Sequence, residues 1–167
     1  PSSEMVAKAW ERNSDGFGIA YRDGKKEDTE VVWDKGIMSL EDAQELCATT
    51  PIPYIAHFRV ATVGGVRPEL THPFPVDPKT GAGLTGRTKG YVLFHNGDWK
   101  DWAFEARDAA RSTGTYIPVG KWSDSRAMAW LCSLYGLGYM ELLPEKRGVD
   151  MGPKDMEIFV GRGWTKL

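Results

Sequence analysis

The sequence predicts an α+β domain in which helices cover antiparallel β-sheet. Strand-like runs are joined by hairpin turn signals, as at Asp23-Gly24 between the apolar run Phe17–Tyr21 and its returning partner Glu30–Trp33. Helical segments fall between the strands without the regular strand–helix–strand alternation of a parallel sheet. The chain of 167 residues is long enough to bury a core without disulfides, and we expect one domain over residues 1–167.

The composition argues against several classes of protein. Hydrophobic residues make up 41% and charged residues 26% of the chain, and the formal net charge is −2. This near-neutral balance argues against a general nucleic-acid binder or a polybasic membrane anchor, and no apolar run approaches the roughly 20 residues that span a bilayer. The two cysteines, Cys47 and Cys132, are too few for a disulfide framework or a four-cysteine zinc site.

Periodicity predicts the first two elements. Apolar residues at helical spacing indicate a helix over Ser2–Arg12. In the strand Phe17–Tyr21 large and small side chains alternate, and Gly18 and Ala20 leave one face nearly bare. A strand with such a face lets another part of the molecule approach its backbone closely.

The remaining elements follow from capping residues, prolines and apolar runs. Two prolines make His72–Pro75 extended but unsuited to a central strand. The Gly- and Thr-rich segment Asp77–Gly90 predicts a mobile surface loop. The other predicted elements are a helix opened by Ser39 and ended by Pro51, a strand Tyr54–Arg59, a strand Tyr91–His95 buried on both faces, a helix capped by Asp98, a helix beginning near Ser125, and a last strand Met156–Val160.

Arg59 is the first candidate site residue. It is the last residue of the alternating predicted strand Tyr54–Arg59, within the segment His57–Thr62, and burying a guanidinium is costly unless it meets an anion. Arg59 would then clamp a carboxylate, with each charge-assisted hydrogen bond contributing about 1.5–3 kcal/mol. The alternative is a strand-end arginine that pairs with a nearby Asp or Glu.

Asn96 and Gly97 form the second candidate. They directly follow the buried strand that ends at His95, so an amide side chain and a backbone N–H reach one rim of the sheet. These are two kinds of donor that build an oxyanion hole, where one donor contributes about 2.7–4 kcal/mol to catalysis. The alternative is an ordinary Asn-Gly turn.

Asp124 is the third candidate, within Ser123–Ser125 ahead of the fourth helix. Its carboxylate either receives a substrate ammonium or only caps the helix.

Cys47 and Cys132 lie on predicted apolar helix faces, where thiols behave as small hydrophobes. The three histidines lie far apart in the sequence without ligand spacing, so we expect no metal site. The sequence has no GxxxxGK(S/T) motif, and we expect no cofactor.

Five segments, taken in order, resemble the class II glutamine amidotransferase domain, which is an N-terminal-nucleophile (Ntn) hydrolase. They are Asn13–Gly18, His57–Thr62, His72–Phe74, Phe94–Gly97 and Ser123–Ser125. The chain is similar in particular to small stand-alone members from bacteria and phages. The resemblance implies a four-layer αββα sandwich with antiparallel sheets.

The resemblance also implies a role for each candidate. Arg59 would clamp the α-carboxylate of glutamine, helped by the backbone near Thr62. Asp124 would hold the α-ammonium, and Asn96–Gly97 would form the oxyanion hole. His72 would belong to a loop that shapes the pocket.

The family's mechanism requires an N-terminal cysteine. Its thiolate attacks the side-chain amide, and its own α-amine, with a pKa of about 8, serves as general base. Residue 1 is Pro, and neither Cys47 nor Cys132 can supply a free α-amine. We expect the nucleophile to lie upstream of Pro1 in a longer product, on a first strand. The alternative is an inactive Ntn fold that serves as a binding or structural subunit, for instance in a phage particle.

The resemblance implies glutamine, or a glutamine-like amide, as substrate. No synthase domain is evident in the sequence, so the activity would be glutaminase-like, or ammonia would pass to a separate enzyme. An Ntn hydrolase that acts on a different acyl group is a further alternative. We expect a cytoplasmic protein, or a virion-associated one if phage-encoded, that binds neither nucleic acid nor membrane.

Overall fold

The computed structural model describes residues 1–25, 28–80, 83–143, 147–160 and 164–166. Within these ranges the chain forms four α-helices and nine strands. The helices are α1 (Ser3–Arg12), α2 (Leu40–Thr49), α3 (Trp102–Thr113) and α4 (Asp124–Tyr135). The strands are β1 (Phe17–Asp23), β2 (Glu30–Ile37), β3 (Tyr54–Phe58), β4 (Phe74–Pro75), β5 (Thr85–Thr88), β6 (Val92–Asn96), β7 (Arg147–Met151), β8 (Met156–Val160) and β9 (Trp164–Lys166). None of the described helices is long and apolar enough to cross a lipid bilayer.

The strands form two antiparallel sheets, and helices cover the outer face of each. The first sheet has the order β3-β1-β2-β5 and the second the order β4-β6-β7-β8-β9. Three apolar clusters separate four layers. The first cluster lies between helices α1 and α2 and the first sheet, and it contains Val6, Phe17, Ile19, Ala43 and Cys47. The second lies between the two sheets and contains Ala20, Val31, Trp33, Val92, Phe94 and Met151. The third lies between the second sheet and helices α3 and α4, and its members include Leu93, Ala106, Met128 and Trp130. This arrangement confirms the predicted α+β sandwich of two antiparallel sheets.

The alternation predicted for β1 decides how the first sheet packs. Phe17 and Ile19 are fully buried beneath the helices, whereas Gly18 faces the space between the sheets. A Cβ atom at Gly18 would lie only 1.9 Å from the carbonyl oxygen of His72. The bare face of β1 therefore admits the backbone of another segment, as the sequence predicted.

The segment Asp77–Gly90 is not a loop throughout, contrary to the sequence prediction. Thr85–Thr88 forms β5, which pairs with β2 at the edge of the first sheet; residues 81–82 lie outside the described residues. The sequence does not indicate this strand, because Thr85–Thr88 is polar and shows no alternation of apolar and polar residues. The two-residue strand Phe74–Pro75 agrees with its prediction, since it lies at the edge of the second sheet and not in its centre. Proline has no N–H to donate to a neighbouring strand, and an edge strand tolerates that loss.

The starts of α3 and α4 also correct the sequence prediction. Helix α3 begins at Trp102 after Asp101, so Asp98 is not its cap. Helix α4 begins at Asp124, and its cap is Ser123, whose hydroxyl accepts a hydrogen bond from the backbone N–H of Arg126 at 3.2 Å. Asp124 is therefore not the cap of α4, which was the alternative that the sequence left open.

The sequence prediction also missed β7, and Met156–Val160 is followed by β9 rather than being the last strand.

Candidate active site

A cavity of about 550 Å³ opens where β3 and β6 end and α4 begins. All six residues selected from the sequence line it: Arg59, Thr62, His72, Asn96, Gly97 and Asp124. They come from four separate segments of the chain, and the last turn of α1 adds Ala9 and Arg12 to the wall. No described residue of the segment 77–90 lines the cavity.

The chain just after β3 is held by the segment that precedes β1. The backbone N–H of Arg59 donates to the carbonyl of Gly16 at 2.8 Å, and the N–H of Asp15 donates to the carbonyl of Arg59 at 3.0 Å. The carboxylate of Asp15 accepts a hydrogen bond from the N–H of Ala61 at 2.8 Å. These bonds extend the sheet pairing past Phe58 and fix the backbone from which the Arg59 side chain projects.

The Arg59 guanidinium is buried, with 4% of the residue exposed. Its two terminal nitrogens donate to backbone carbonyls of the following loop, to Gly65 at 2.8 Å and to Val63 at 2.9 Å. No described carboxylate lies within salt-bridge distance of it, so the local ion pair that the sequence left open is not formed. Burial lowers the pKa of Arg59, and the carboxylates of Asp15 and Asp124 act in the opposite direction.

The Asn96–Gly97 turn is exposed at the end of the buried strand β6. Gly97 has a φ of +126°, a conformation that residues with a side chain rarely adopt. The backbone therefore turns sharply here, and the Asn96 amide and the Gly97 backbone both border the cavity.

The Asp124 carboxylate lies beside this turn and is buried, with 4% of the residue exposed. Its Oδ2 atom accepts the backbone N–H of Trp99 at 3.0 Å, and its Oδ1 atom accepts the N–H of Ser125 at 2.8 Å. A carboxylate offers about four acceptor positions, so these bonds orient Asp124 and leave capacity for a ligand cation.

The three histidines, far apart in sequence, meet at the cavity. The rings of His57 and His72 lie 4.0 Å apart between centroids, and His95 borders the same space. Burial lowers the pKa of His57 to about 4, with a smaller effect from His95, and lowers the pKa of His72 well below its usual value. His57 and His72 are therefore neutral at pH 7. Among the described residues, no group of three or more His, Cys, Asp or Glu is arranged to hold a metal ion.

Sequence reasoning missed two contacts at the cavity. The Thr62 hydroxyl donates to the carboxylate of Asp98, which borders the cavity rather than capping α3. Ser125 contacts both His95 and Asp124. The Ser123–Ser125 motif signalled this region, but the contact of Ser125 with His95, 30 positions away along the chain, depends on the packing of α4 against β6.

Neither cysteine reaches the cavity. Cys47 is buried in α2 and Cys132 in α4, and neither residue borders the cavity. Burial raises the pKa of both thiols, so both are neutral at pH 7 and poor nucleophiles. The structure thus agrees with the prediction that these two cysteines are packing residues.

The sequence model of a family described as "Glutamine amidotransferases class-II" matches residues 5–142 of the chain. The matched region includes all six of the cavity residues selected from the sequence. No curated protein matches the chain.

Proposed function

The chain belongs to the class II glutamine amidotransferase family, and from that premise we propose that its cavity hydrolyses the side-chain amide of glutamine or a glutamine-like amide. The observation that carries the proposal is the convergence of three kinds of group on one cavity. A buried cation (Arg59), a buried anion (Asp124) and a pair of oxyanion donors (Asn96–Gly97) all border it. A zwitterionic amino acid with a reactive amide needs these three partners.

The two charged groups bind the amino-acid end of the substrate in this proposal. A guanidinium has five N–H donors, and two carbonyls, those of Val63 and Gly65, are bonded to its terminal nitrogens. The remaining donors bind the substrate α-carboxylate. Asp124 accepts hydrogen bonds from the α-ammonium, and its orientation is already set by Trp99 and Ser125. Preorganised charges of this kind bind without a large reorganisation cost.

The Asn96–Gly97 turn acts on the other end of the substrate. A thiolate adds to the amide carbon, and the negative charge that develops on the amide oxygen is stabilised by the Asn96 amide and the Gly97 N–H. The C–N bond then breaks, ammonia leaves with a proton from the nucleophile's α-ammonium, and a thioester remains. Water hydrolyses the thioester to glutamate, and the ammonia is released or taken by a separate enzyme.

The nucleophile in this proposal is an N-terminal cysteine on a strand upstream of Pro1. Supporting this, a second, apolar groove of about 280 Å³ adjoins the main cavity and shares His57, His95 and Asn96 with it. The groove is also lined by Ile55 of β3, and β3 is the outer strand of its sheet, paired on one side only among the described strands. An extended segment laid along this edge gains backbone hydrogen bonds and brings its end to the oxyanion donors.

The test is labelling of the natural mature protein with a glutamine analogue that carries an electrophilic group, followed by intact mass measurement and N-terminal sequencing. We expect one label on an N-terminal cysteine, prevented by excess glutamine. A variant with Cys47→Ser and Cys132→Ser is the matched control, and it should take the label equally. A mature protein that starts at or near Pro1 and takes no label would refute the enzyme and favour an inactive binding or structural subunit.

A further inference from the structure

Two residues at the start of α4 hold the Asn96–Gly97 turn from both sides. His95 immediately precedes the turn, and its Nδ1 atom lies 3.0 Å from the Ser125 hydroxyl. Trp99 follows the turn, and its backbone N–H donates to Asp124. We propose that Ser125 is a positioning residue for the oxyanion donors, an inference that rests on the proposed function.

The Ser125 hydroxyl joins the two anchors into one network. Besides His95, it lies 3.4 Å from Asp124 Oδ1, the oxygen that also accepts the Ser125 backbone N–H at 2.8 Å. The network runs from His95 through Ser125 and Asp124 to Trp99. Both ends of the turn are therefore fixed by the same two consecutive residues of α4.

The residues of this network are buried, whereas the turn between them is exposed. His95, Trp99, Asp124 and Ser125 are each at most 5% exposed. Asn96 and Gly97 are exposed, and the nearest atom to a Cβ at Gly97 would be His95 Nε2 at 3.7 Å. The buried ends therefore restrain the turn, together with the pairing of Asn96 with Arg147 in the sheet and the bond from Thr62 to Asp98, because buried hydrogen bonds tolerate little displacement.

The Ser125 hydroxyl has one proton and donates to one partner at a time. Its contact with His95 Nδ1, at 3.0 Å, is shorter than its contact with Asp124 Oδ1, at 3.4 Å. Which atom donates to the other depends on the tautomer of His95, and the contact orients the His95 ring in either case.

The experiment compares Ser125→Ala with Ser133→Ala in the natural mature protein. Ser133 is the matched control, since it is a serine of the same helix whose hydroxyl bonds, among the described residues, only the local carbonyl of Trp130. Amide hydrogen exchange is followed in a peptide that spans residues 94–99, and kcat and KM for glutamine are measured in parallel. Thermal unfolding of both variants establishes that they are folded.

For Ser125→Ala we expect exchange in residues 94–99 to be faster by about fivefold to tenfold, as for the loss of a typical buried hydrogen bond. We also expect kcat to fall by about tenfold or more while KM changes less than about twofold, because the oxyanion donors act in the transition state. The Ser133→Ala variant should match the unaltered protein in both measurements.

Three results distinguish the failure of this inference from the failure of the proposed function. Unchanged exchange in residues 94–99 of Ser125→Ala would overturn the positioning role whether or not the protein hydrolyses glutamine. If the unaltered protein hydrolyses no glutamine but exchange is still faster in Ser125→Ala, the result would support the anchoring of the turn by Ser125 and reject the proposed amide hydrolysis. Faster exchange with an unchanged kcat would overturn the link between Ser125 and the oxyanion donors.

Discussion

The backbone of Gly18 in β1 lies directly against the carbonyl group of His72, where a side chain at position 18 has no room. A Cβ atom there would approach the His72 oxygen to 1.9 Å and the Cβ atom of Lys35 to 2.7 Å. His72 borders the cavity and its ring packs against His57. A glycine near the start of β1 thus determines how closely the His72 backbone approaches this sheet.

Gly18→Ala should destabilise the protein and displace His72. Because the clash is with backbone, relief requires movement of a main-chain segment, and we expect a loss of about 1–3 kcal/mol or more in the free energy of unfolding. Denaturant unfolding measures it. Gly138→Ala is the control, since a Cβ there meets no atom within 4 Å, and equal stability of the two variants would contradict the prediction.

Arg59→Ala should raise KM for glutamine strongly. Each charge-assisted hydrogen bond to the α-carboxylate contributes about 1.5–3 kcal/mol, so the loss of one or two predicts a KM higher by about tenfold or more. Steady-state kinetics measures the change, with the exposed Arg107→Ala on α3 as a charge-matched control. An unchanged KM would remove Arg59 from carboxylate binding and leave it as the residue that holds the Val63 and Gly65 carbonyls.

Asn96→Ala should lower kcat far more than it changes KM. The Asn96 amide stabilises charge that develops only in the transition state, so we expect kcat to fall by about 100-fold or more. The same kinetic assay applies, with the distant amide variant Gln44→Ala as control. Full activity in Asn96→Ala would show that the exposed Asn96–Gly97 pair is only a turn.

Asp124→Asn should abolish the preference for a substrate with an α-amino group. The measurement is kcat/KM for glutamine against an analogue that lacks the α-amino group. We expect the ratio to fall by about tenfold or more, since the ammonium loses a charged partner. The amide keeps one oxygen to accept the Trp99 or Ser125 N–H. A ratio that stays the same would point to an amide hydrolase for another acyl group.

Asp150→Asn should stabilise the protein at neutral pH. Asp150 is fully buried in β7, and neither carboxylate oxygen has a hydrogen-bond partner among the described residues. Burial raises the pKa of this carboxyl well above its usual value, and Glu157 and Asp155 raise it further. The unfolded chain loses this proton near pH 4, so the native state loses stability as the pH rises from there through the folded-state pKa.

Unfolding free energies measured between pH 4 and pH 8 test this expectation. The difference between Asp150→Asn and the unaltered protein should grow with pH and reach about 1 kcal/mol or more at neutral pH. The exposed Asp108→Asn on α3 is the control and should show a smaller change with pH. A pH-independent difference would show that Asp150 is ionised in the native protein to the same extent as in the unfolded chain.

Local patterns predicted the elements whose causes are local. The alternation in Phe17–Tyr21 indicated both β1 and its bare face, and Ser39 caps α2 as expected, with its hydroxyl accepting the N–H of Asp42 at 3.2 Å. The polar strand β5 could not be predicted in this way. The packing of β5 depends on a contact that is distant in sequence. Gly86 lies against the Trp33 indole, and a Cβ atom at Gly86 would lie 2.2 Å from a carbon of that ring.

By itself, the sequence determined the fold class, the family and the identity of the six candidate residues, because capping, alternation and short motifs depend on neighbours along the chain. Only the tertiary structure decided what those residues contact. Asp124 orients against Trp99, and Ser125 meets His95, because the packing of α4 onto β6 brings these pairs together. Such contacts depend on long-range packing, which leaves no periodic signal in the sequence.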